Sequence, residues 1–299
     1  MKPALRGSLW MVVATLLLFG CQPPDRTAQL ALKAKRIELV ERMRLALASA
    51  SEAEKSAVMA ITDADSQTYA DQARAAAETV EQTRKELEGL LKTGGSQNEQ
   101  DLLDKFSQAF AEFQRIDKDL LDLAVKNTNL KASSLAFGPA AEALKEMDEM
   151  LARVAAASAT DLKIERLADD ARITALRIQT LLPPHIAEES DSKMDELEAA
   201  MTKEDGVVHQ SLQTLAAMPA LSDNPDLKSA ASSYDRFSEI KAQILRLSRE
   251  NTNVRSTAIS LNQKRNVMFQ CQDALAALQS ALEQEPVVGV PVRVPASPR

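Results

Sequence analysis

The chain has few of the residues from which β-sheets, disulfide frameworks and most enzyme sites are built. Its 299 residues include 8 glycines, 2 cysteines and 2 histidines, and 3% are aromatic. Two cysteines cannot form a disulfide framework. β-Branched residues form no alternating run bounded by turn residues before the C-terminal tail, which argues against β-structure. Helix-favouring residues such as Ala, Leu, Glu, Lys and Gln dominate instead, and we predict an all-α protein.

Catalytic and metal-binding motifs are missing as well. A di-iron bundle needs Glu-x-x-His on two helices, and neither His185 nor His209 has a glutamate three residues before it. The sequence contains no CxxCH haem motif, HExxH, glycine-rich phosphate loop or GxSxG. His185 is predicted to be a surface histidine, His209 to lie on a polar helix face, and the acidic pairs Glu188–Glu189 and Glu196/Glu198 to be solvated. We therefore predict no enzymatic activity, catalytic residue, metal or cofactor.

The charge excludes one class of partner. The net charge is −7, and removal of residues 1–20 would take away two cations, Lys2 and Arg6, and no anion. An acidic chain lacks the basic surface that attracts nucleic acid. We predict that it binds no nucleic acid.

Residues 1–20 have the pattern of a secretory signal. Lys2 and Arg6 precede an apolar stretch, Leu9 to Phe19, which is shorter than the roughly 20 residues of a membrane span. The stretch ends in Leu18-Phe19-Gly20-Cys21, which resembles a bacterial lipoprotein lipobox. The alternative is a plain secretory signal with an incidental cysteine.

The lipobox resemblance implies cleavage before Cys21 and acylation of that residue, including a palmitate-type chain. Two or three acyl chains anchor a protein to a membrane durably. Gln22, rather than an aspartate, favours the periplasmic face of the outer membrane over the inner membrane. Cys271 then has no intrachain partner, and it is predicted to be a small buried hydrophobe; an exposed thiol linking two chains is the alternative.

The helical part of the chain is present twice. A series of apolar positions and an Asn-Thr-Asn triplet recur 124 residues later. The first copy consists of Phe113, Ile116, Leu120, Leu121, Leu123 and Asn127-Thr128-Asn129, and the second of Phe237, Ile240, Ile244, Leu245, Leu247 and Asn251-Thr252-Asn253. The alternating three- and four-residue spacing is typical of coiled-coil packing. A period of this length indicates two tandem domains rather than a solenoid.

Breaker residues divide the chain further. We predict a tether at 21–27, a four-helix module at 28–158, a second at 159–285 and a disordered tail at 286–299. The predicted helices are 28–62, 64–91, 98–137, 189–217, 226–261 and 263–284, together with one long helix over 139–182. That long helix would be shared by two antiparallel four-helix bundles, bending near residues 158–160. The bundles could lie side by side or end to end, and the long helix favours end to end.

The Asn-Thr-Asn triplets, Asn127-Thr128-Asn129 and Asn251-Thr252-Asn253, are the candidate functional residues. Asn127 and Asn251 lie in the apolar seam, where an asparagine either fixes helix register or contacts a ligand. Asn129 and Asn253 point to nearly the opposite helix face, towards another helix, the sister module or a partner. Register and ligand binding both remain open.

The segment from Leu121 through the triplet to Phe137-Gly138-Pro139 resembles the four-helix-bundle sensor domain of bacterial methyl-accepting chemotaxis receptors. Leu247 through Arg255 is similar. The resemblance implies a periplasmic bundle that senses a small molecule or a loaded binding protein, often as a homodimer. The membrane spans and methylated cytoplasmic hairpin of those receptors are absent from this sequence. Arg42, Arg44, Arg172 and Arg177 occupy stretches comparable to the receptors' ligand arginines but match no motif, and they are predicted to be solvated or ion-paired.

The leading functional hypothesis is a lipid-anchored, non-enzymatic ligand-sensing or signalling-accessory protein of the cell envelope. Its partners would be the membrane and a small molecule or an envelope protein. The alternative is a structural spacer lipoprotein in which the asparagines only set register. A third and weaker hypothesis is a chaperone-like helical clamp.

Overall fold

The computed structural model describes residues 26–158 and 160–286, and within them every regular element is helical. The predicted all-α helix-bundle fold is therefore confirmed. The α-helices are α1 (Arg26–Met59), α2 (Asp63–Gly94), α3 (Gln97–Ala124), α4 (Thr128–Leu135), α5 (Ala141–Ala157), α6 (Leu162–Ala187), α7 (Asp191–Ala216), α8 (Pro225–Glu250), α9 (Thr252–Ile259) and α10 (Arg265–Gln284). No helix in these ranges is long and apolar enough to cross a membrane.

Buried apolar side chains organise these helices into two groups of four. One large core joins α1, α2, α3 and α10, the other large core joins α5, α6, α7 and α8, and a smaller cluster lies between α1, α2 and α3. Helix α5, the last helix of the first repeat, therefore packs with helices of the second repeat, and α10, the last helix of the second repeat, packs with helices of the first. The cores do not separate at the predicted module boundary between 158 and 159, because α5 and α10 are exchanged. We call the α1–α2–α3–α10 group the first bundle and the α5–α6–α7–α8 group the second bundle.

The predicted long helix over 139–182 is wrong. Helix α5 ends at Ala157 and α6 begins at Leu162, with Asp161 as the N-cap whose carboxylate accepts from the Lys163 backbone N–H. Helices α5 and α6 pack against each other as a hairpin. The chain therefore reverses its direction between Ala157 and Leu162, where only a bend was predicted.

Two other predicted helices, 98–137 and 226–261, are each interrupted at the triplet. Asn127 and Asn251 adopt the left-handed conformation, with φ of 52° and 53°. Asn251 is both the C-cap of α8 and the N-cap of α9, whereas Asn127 is the N-cap of α4 and follows Val125, the C-cap of α3, by two residues. Asparagine tolerates this conformation better than other non-glycine residues. Beyond the break the buried face changes: Phe137 lies ten residues after Asn127, at a position that continues the three-four spacing, but it is 69% exposed.

Each triplet leads through a short α-helix to a π-helical turn. These turns, Ala136–Ala140 and Ser260–Lys264, connect α4 to α5 and α9 to α10 without a break. Pro139 lies inside the first turn, so Gly138-Pro139 does not end a helix as predicted. π-Helical turns are rare and frequently lie at functional sites.

The repeat extends to helices that the sequence comparison did not match. Seven buried positions of α1 recur in α6 at one constant spacing along the chain. The α1 residues are Arg36, Val40, Met43, Leu47, Ala50, Glu54 and Ala57, and their α6 counterparts, in the same order, are Ile164, Ala168, Ala171, Ala175, Ile178, Leu182 and His185. The two bundles therefore have corresponding cores, although two of the α1 positions are charged.

The predictions about residues 1–25 and 287–299 lie outside the described residues. They include the signal peptide, acylation of Cys21 and most of the tether and tail.

Candidate functional site

The two triplets meet each other at the crossing between the bundles, which we call the junction (Asn127–Asn129 and Asn251–Asn253). The Thr128 backbone N–H donates to Thr252 Oγ1 and the Thr252 N–H to Thr128 Oγ1, each at 3.1 Å. The Asn129 and Asn253 N–H groups likewise donate to each other's side-chain Oδ1, at 3.2 and 3.1 Å. Each triplet thus caps the first two N–H groups of the helix that begins in the other repeat. Ordinary N-caps act on their own helix, so this capping is reciprocal and long-range.

The asparagine amides complete the junction. Asn129 Nδ2 donates to Asn251 Oδ1 at 2.8 Å, and Asn253 Nδ2 donates to Asn127 Oδ1 at 3.0 Å. Asn127 also donates to Asp63 Oδ1 at 3.1 Å. Hydrogen bonds from the Lys131 ammonium and then from the Asn127 amide hold the pKa of Asp63 below its usual range.

These contacts assign the junction a structural role. All six residues are buried or half-buried, and none of their side-chain nitrogen or oxygen atoms is a buried atom without a partner. Asn129 and Asn253 contact the sister repeat, which was one of the alternatives that the sequence left open. The junction therefore fixes where the two long helical runs cross.

A different site lies in the first bundle, where a cleft of about 430 Å³ opens between α1, the π-helical turn Ser260–Lys264 and α10. We call it the Glu54 cleft. Its buried polar wall consists of Ser51, Glu54, Ser260 and Lys264. Its outer wall is largely apolar, with Leu261 61% exposed and Phe269 51% exposed.

Glu54 is the unusual member of this cleft. Its side chain is 0% exposed, and within the described chain neither carboxylate oxygen has a hydrogen-bond partner. Burial raises the pKa of Glu54, and the nearby Ser260 hydroxyl and Lys264 ammonium offset this only in part. A buried polar group without a partner costs about 1–3 kcal/mol, so its presence in an otherwise well-packed bundle calls for an explanation.

Lys264 stands beside Glu54 but is held by other groups. Its ammonium forms a buried ion pair with Asp117, donates to the Phe113 carbonyl oxygen at 3.4 Å and lies 3.2 Å from the centre of the Phe113 ring. Burial lowers the pKa of Lys264, while Asp117 acts in the opposite direction. Because the Lys264 ammonium is paired with Asp117, it compensates the charge of Glu54 only in part.

The second bundle fills the same positions with apolar side chains. Leu182 takes the place of Glu54, Ala136 that of Ser260 and Ala140 that of Lys264, and all three belong to the second core. Lys241 stands where Asp117 does, and it pairs with Asp205 at 2.6 Å. The buried charged cluster is therefore peculiar to the first bundle and is no requirement of the fold.

The helical spacing of α1 marks Glu54 in the sequence. Val40, Met43, Leu47, Ala50, Glu54 and Ala57 are spaced by alternating three and four residues, so Glu54 lies in an apolar helical stripe. A charged residue in such a stripe is unusual, because glutamate is almost never fully buried unless it is paired. Lys264 gives no comparable signal, since it reaches the interior only through the π-helical turn.

The prediction for His185 is wrong, and so is that for Glu198. His185 is 0% exposed; its Nδ1 lies 2.9 Å from Ser248 Oγ and its Nε2 lies 2.8 Å from Glu198 Oε1. Arg249 Nε also donates to Glu198 at 2.7 Å, and the arginine and then the histidine lower the pKa of that carboxylate. Ser248 is fully buried beside the His185 carbonyl oxygen. The chain of contacts from Ser248 through His185 to Glu198 resembles a nucleophilic triad. A substrate cannot reach the Ser248 hydroxyl, however, because this side chain is fully buried.

The other candidate residues lie largely as predicted. Cys271 is 0% exposed and burial raises the pKa of its thiol to about 12, so it behaves as a buried hydrophobe. Arg172 is ion-paired with Asp148 and Asp169, and Arg44 is exposed. His209 is part-exposed and packs edge-on against Tyr234. Across the described residues, no group of three or more His, Cys, Asp and Glu side chains is arranged to hold a metal ion.

No protein-family model matches the chain, and no curated protein is significantly similar to it in sequence. Its function therefore has to be inferred from its own residues.

Proposed function

We propose that this protein is a non-enzymatic, lipid-anchored ligand-sensing protein of the bacterial cell envelope, acylated at Cys21 and held at the periplasmic face of the outer membrane. The observation that carries the sensing role is Glu54, whose buried carboxylate lines a cleft and accepts no hydrogen bond of ordinary geometry from the described residues, although Ser260 and Lys264 lie near it. A bound ligand that donates hydrogen bonds to Glu54 would remove the cost of its burial.

The position of the cleft suits a sensor. Ser260 and Lys264 in its wall belong to the π-helical turn, and this turn is connected to the junction by α9, which has eight residues. A ligand that moves the turn would therefore act on a short, stiff helix whose first residue, Thr252, is hydrogen-bonded to the other repeat. Small helix shifts of this kind are a common form of signalling transition.

The lipid anchor rests on the sequence around Cys21 and on the resemblance to bacterial lipoproteins. The sensing role agrees with the resemblance to chemoreceptor sensor bundles, but in this protein the site would be the Glu54 cleft rather than the Asn-Thr-Asn triplets. The partners would be the membrane and a small molecule or an envelope protein.

A spacer lipoprotein is the second candidate, and the junction is the observation that favours it. Its reciprocal hydrogen bonds join the two helical runs and leave no buried junction side chain without a partner. A protein that only holds envelope components apart needs such a rigid crossing and has no use for an uncompensated carboxylate.

A thermal-melt screen of residues 22–299 separates the two candidates. A ligand at 100 times its Kd should add about 2.7 kcal/mol to the free energy of unfolding. The sensing proposal expects at least one small molecule to raise Tm in the parent and not in a Glu54→Gln variant. Melts that no compound changes, or shifts that persist in Glu54→Gln, would favour the spacer.

A further inference from the structure

Resting on the proposed sensing function, we infer that the Glu54 cleft binds a neutral, polyhydroxylated small molecule, such as a cyclic polyol or sugar, with vicinal hydroxyls on Glu54 and its C–H face on Phe269. The cleft's chemistry favours this class over a cation or an anion.

Charge excludes the simplest ligand, a cation for the lone carboxylate. Lys55, Lys264 and Arg265 also line the cleft, so its walls hold three cations and one anion. Asp117 compensates only Lys264, with which it is paired. An ammonium ligand would be repelled by Lys55 and Arg265, and an anionic ligand would be repelled by Glu54. A neutral ligand avoids both repulsions.

Hydrogen-bonding capacity favours hydroxyl groups. The Glu54 carboxylate oxygens can accept hydrogen bonds, whereas the Ser51 and Ser260 hydroxyls can donate them. A hydroxyl both donates and accepts, so neighbouring hydroxyls can satisfy this mixed wall. Hydroxyls also suit Glu54 in either protonation state, because they donate to the carboxylate and accept from the acid.

The outer wall suits the remainder of such a molecule. Leu261 and Phe269 expose apolar surface at the cleft, and the Arg265 guanidinium lies 5.7 Å from the centre of the Phe269 ring. One face of a cyclic polyol is lined with C–H groups and packs against an aromatic ring. The volume of about 430 Å³ falls within the roughly 300–1,000 Å³ of small-molecule sites.

Entry to the site requires a side chain to move. The Glu54 oxygens lie beneath the cleft surface and are not exposed to solvent. Met268 and Lys55 line the cleft over α1, and both have long side chains that rearrange readily. Ligand binding would displace these side chains and thereby move α10 and the π-helical turn.

Isothermal titration calorimetry of residues 22–299 with myo-inositol, glucose and trehalose tests this inference, with putrescine and succinate as the cationic and anionic probes. We expect at least one polyol to bind with a Kd of about 1 mM or tighter. Glu54→Gln should weaken binding at least about tenfold, because charge-assisted hydrogen bonds are lost. The matched control is Glu52→Gln, an exposed carboxylate on the same helix, which should leave the affinity unchanged.

The outcomes separate the ligand class from the function. Binding of putrescine or succinate that depends on Glu54, without binding of any polyol, would overturn the ligand class and leave the sensing function standing. Polyol binding that survives both Glu54→Gln and Phe269→Ala would show that the cleft is not the site and overturn the inference. Absence of binding by all five probes would count against the inference, and against the sensing function too if the thermal-melt screen were also flat.

Discussion

Helix α1 of the first bundle buries Glu54 at the position where helix α6 of the second bundle buries Leu182, and both side chains are 0% exposed. Around Leu182 the second bundle places Ala136 and Ala140, whereas the first bundle places Ser260 and Lys264. The second bundle therefore demonstrates that the fold is complete with an apolar core at this point. The polar cluster in the first bundle costs stability, and a role in binding explains why the chain contains it.

The junction gives the opposite comparison. There the two repeats have identical residues, and each triplet makes the same reciprocal bonds to the other. The two copies are alike at the junction, where they bond to each other, and they differ at the cleft, where we propose that one copy binds a ligand. The following substitutions test this distinction.

Introducing a carboxylate at the equivalent position of the second bundle should have the largest effect on the free energy of unfolding. Leu182→Glu places a charge in the apolar second core, and it should lower the free energy of unfolding by about 3–5 kcal/mol. Leu182→Met conserves volume and should cost less than about 1.5 kcal/mol. Urea unfolding followed by circular dichroism measures both. A loss for Leu182→Glu no greater than that for Leu182→Met would contradict the equivalence of the two positions as core sites.

Removing the buried Lys264 cation should have the second-largest effect on the free energy of unfolding. Lys264→Met leaves Asp117 buried without its ion-pair partner and should destabilise the protein by about 2–4 kcal/mol. The double variant Asp117→Leu with Lys264→Met removes both charges and should recover most of that loss, because neither charge of the pair is then left buried alone. A double-mutant cycle in urea measures the coupling. If the double variant is as unstable as the sum of the single variants, the pair is not acting as a unit.

The junction asparagines should show a backbone effect. Asn127→Leu forces a bulky residue into the left-handed conformation and removes two side-chain hydrogen bonds, so it should cost about 2–4 kcal/mol. Asn127→Gly keeps the backbone conformation and should cost roughly 1 kcal/mol. The same order should hold at Asn251. Equal costs for Leu and Gly in chemical denaturation would mean that the left-handed turn is not what asparagine supplies.

The pH dependence of stability should distinguish Glu54 from ordinary carboxylates. Because the folded-state pKa of Glu54 is raised, the folded protein binds more protons between the usual glutamate pKa and the raised value. Its contribution to stability therefore falls as the pH rises through that window. Glu54→Gln removes this fall and should be more stable than the parent at neutral pH, by about 1–3 kcal/mol.

Unfolding free energies measured at a series of pH values give this slope directly. Glu52→Gln, at an exposed position, should follow the parent. A Glu54→Gln curve parallel to the parent curve would indicate that Glu54 is not buried in an unfavourable environment.

Much of the fold could be predicted from sequence because helix formation depends on local pattern. The composition predicted the all-α fold, and the break between α2 and α3, at Gly95 and Ser96, falls between the helices predicted to end at residue 91 and to begin at residue 98. Ser96 and Glu99 form a reciprocal cap at the start of α3. Helix α2 follows the N-cap Thr62 and begins at Asp63, one residue before the predicted start at residue 64.

The tertiary arrangement was less accessible to prediction. The left-handed turns at Asn127 and Asn251 interrupt a three-four spacing that continues unchanged in sequence, so the pattern alone predicts one straight helix. The exchange of α5 and α10 depends on the direction in which the chain leaves each junction, and spacing does not encode that direction. The reversal after Ala157 replaces a bend by a hairpin for the same reason.

The candidate site illustrates the limit for function. The triplets were conspicuous because they recur, and recurrence proved to mark a structural junction. Glu54 differs between the repeats, so a search for matching residues passes over it. Its burial could have been predicted from the α1 stripe, but its lack of a partner depends on Lys264 being paired with Asp117 across the bundle.

The central claim is that only the first of two corresponding bundles binds a ligand, and methyl NMR of methionine tests it most directly. Met268 lines the Glu54 cleft, whereas Met147 lies in the second core and is 1% exposed. On titration with the polyol that binds in calorimetry, we expect the Met268 methyl resonance to move in the parent, not to move in Glu54→Gln, and the Met147 resonance to stay in place. Equal movement of both resonances, or movement of Met268 that persists in Glu54→Gln, would contradict the account.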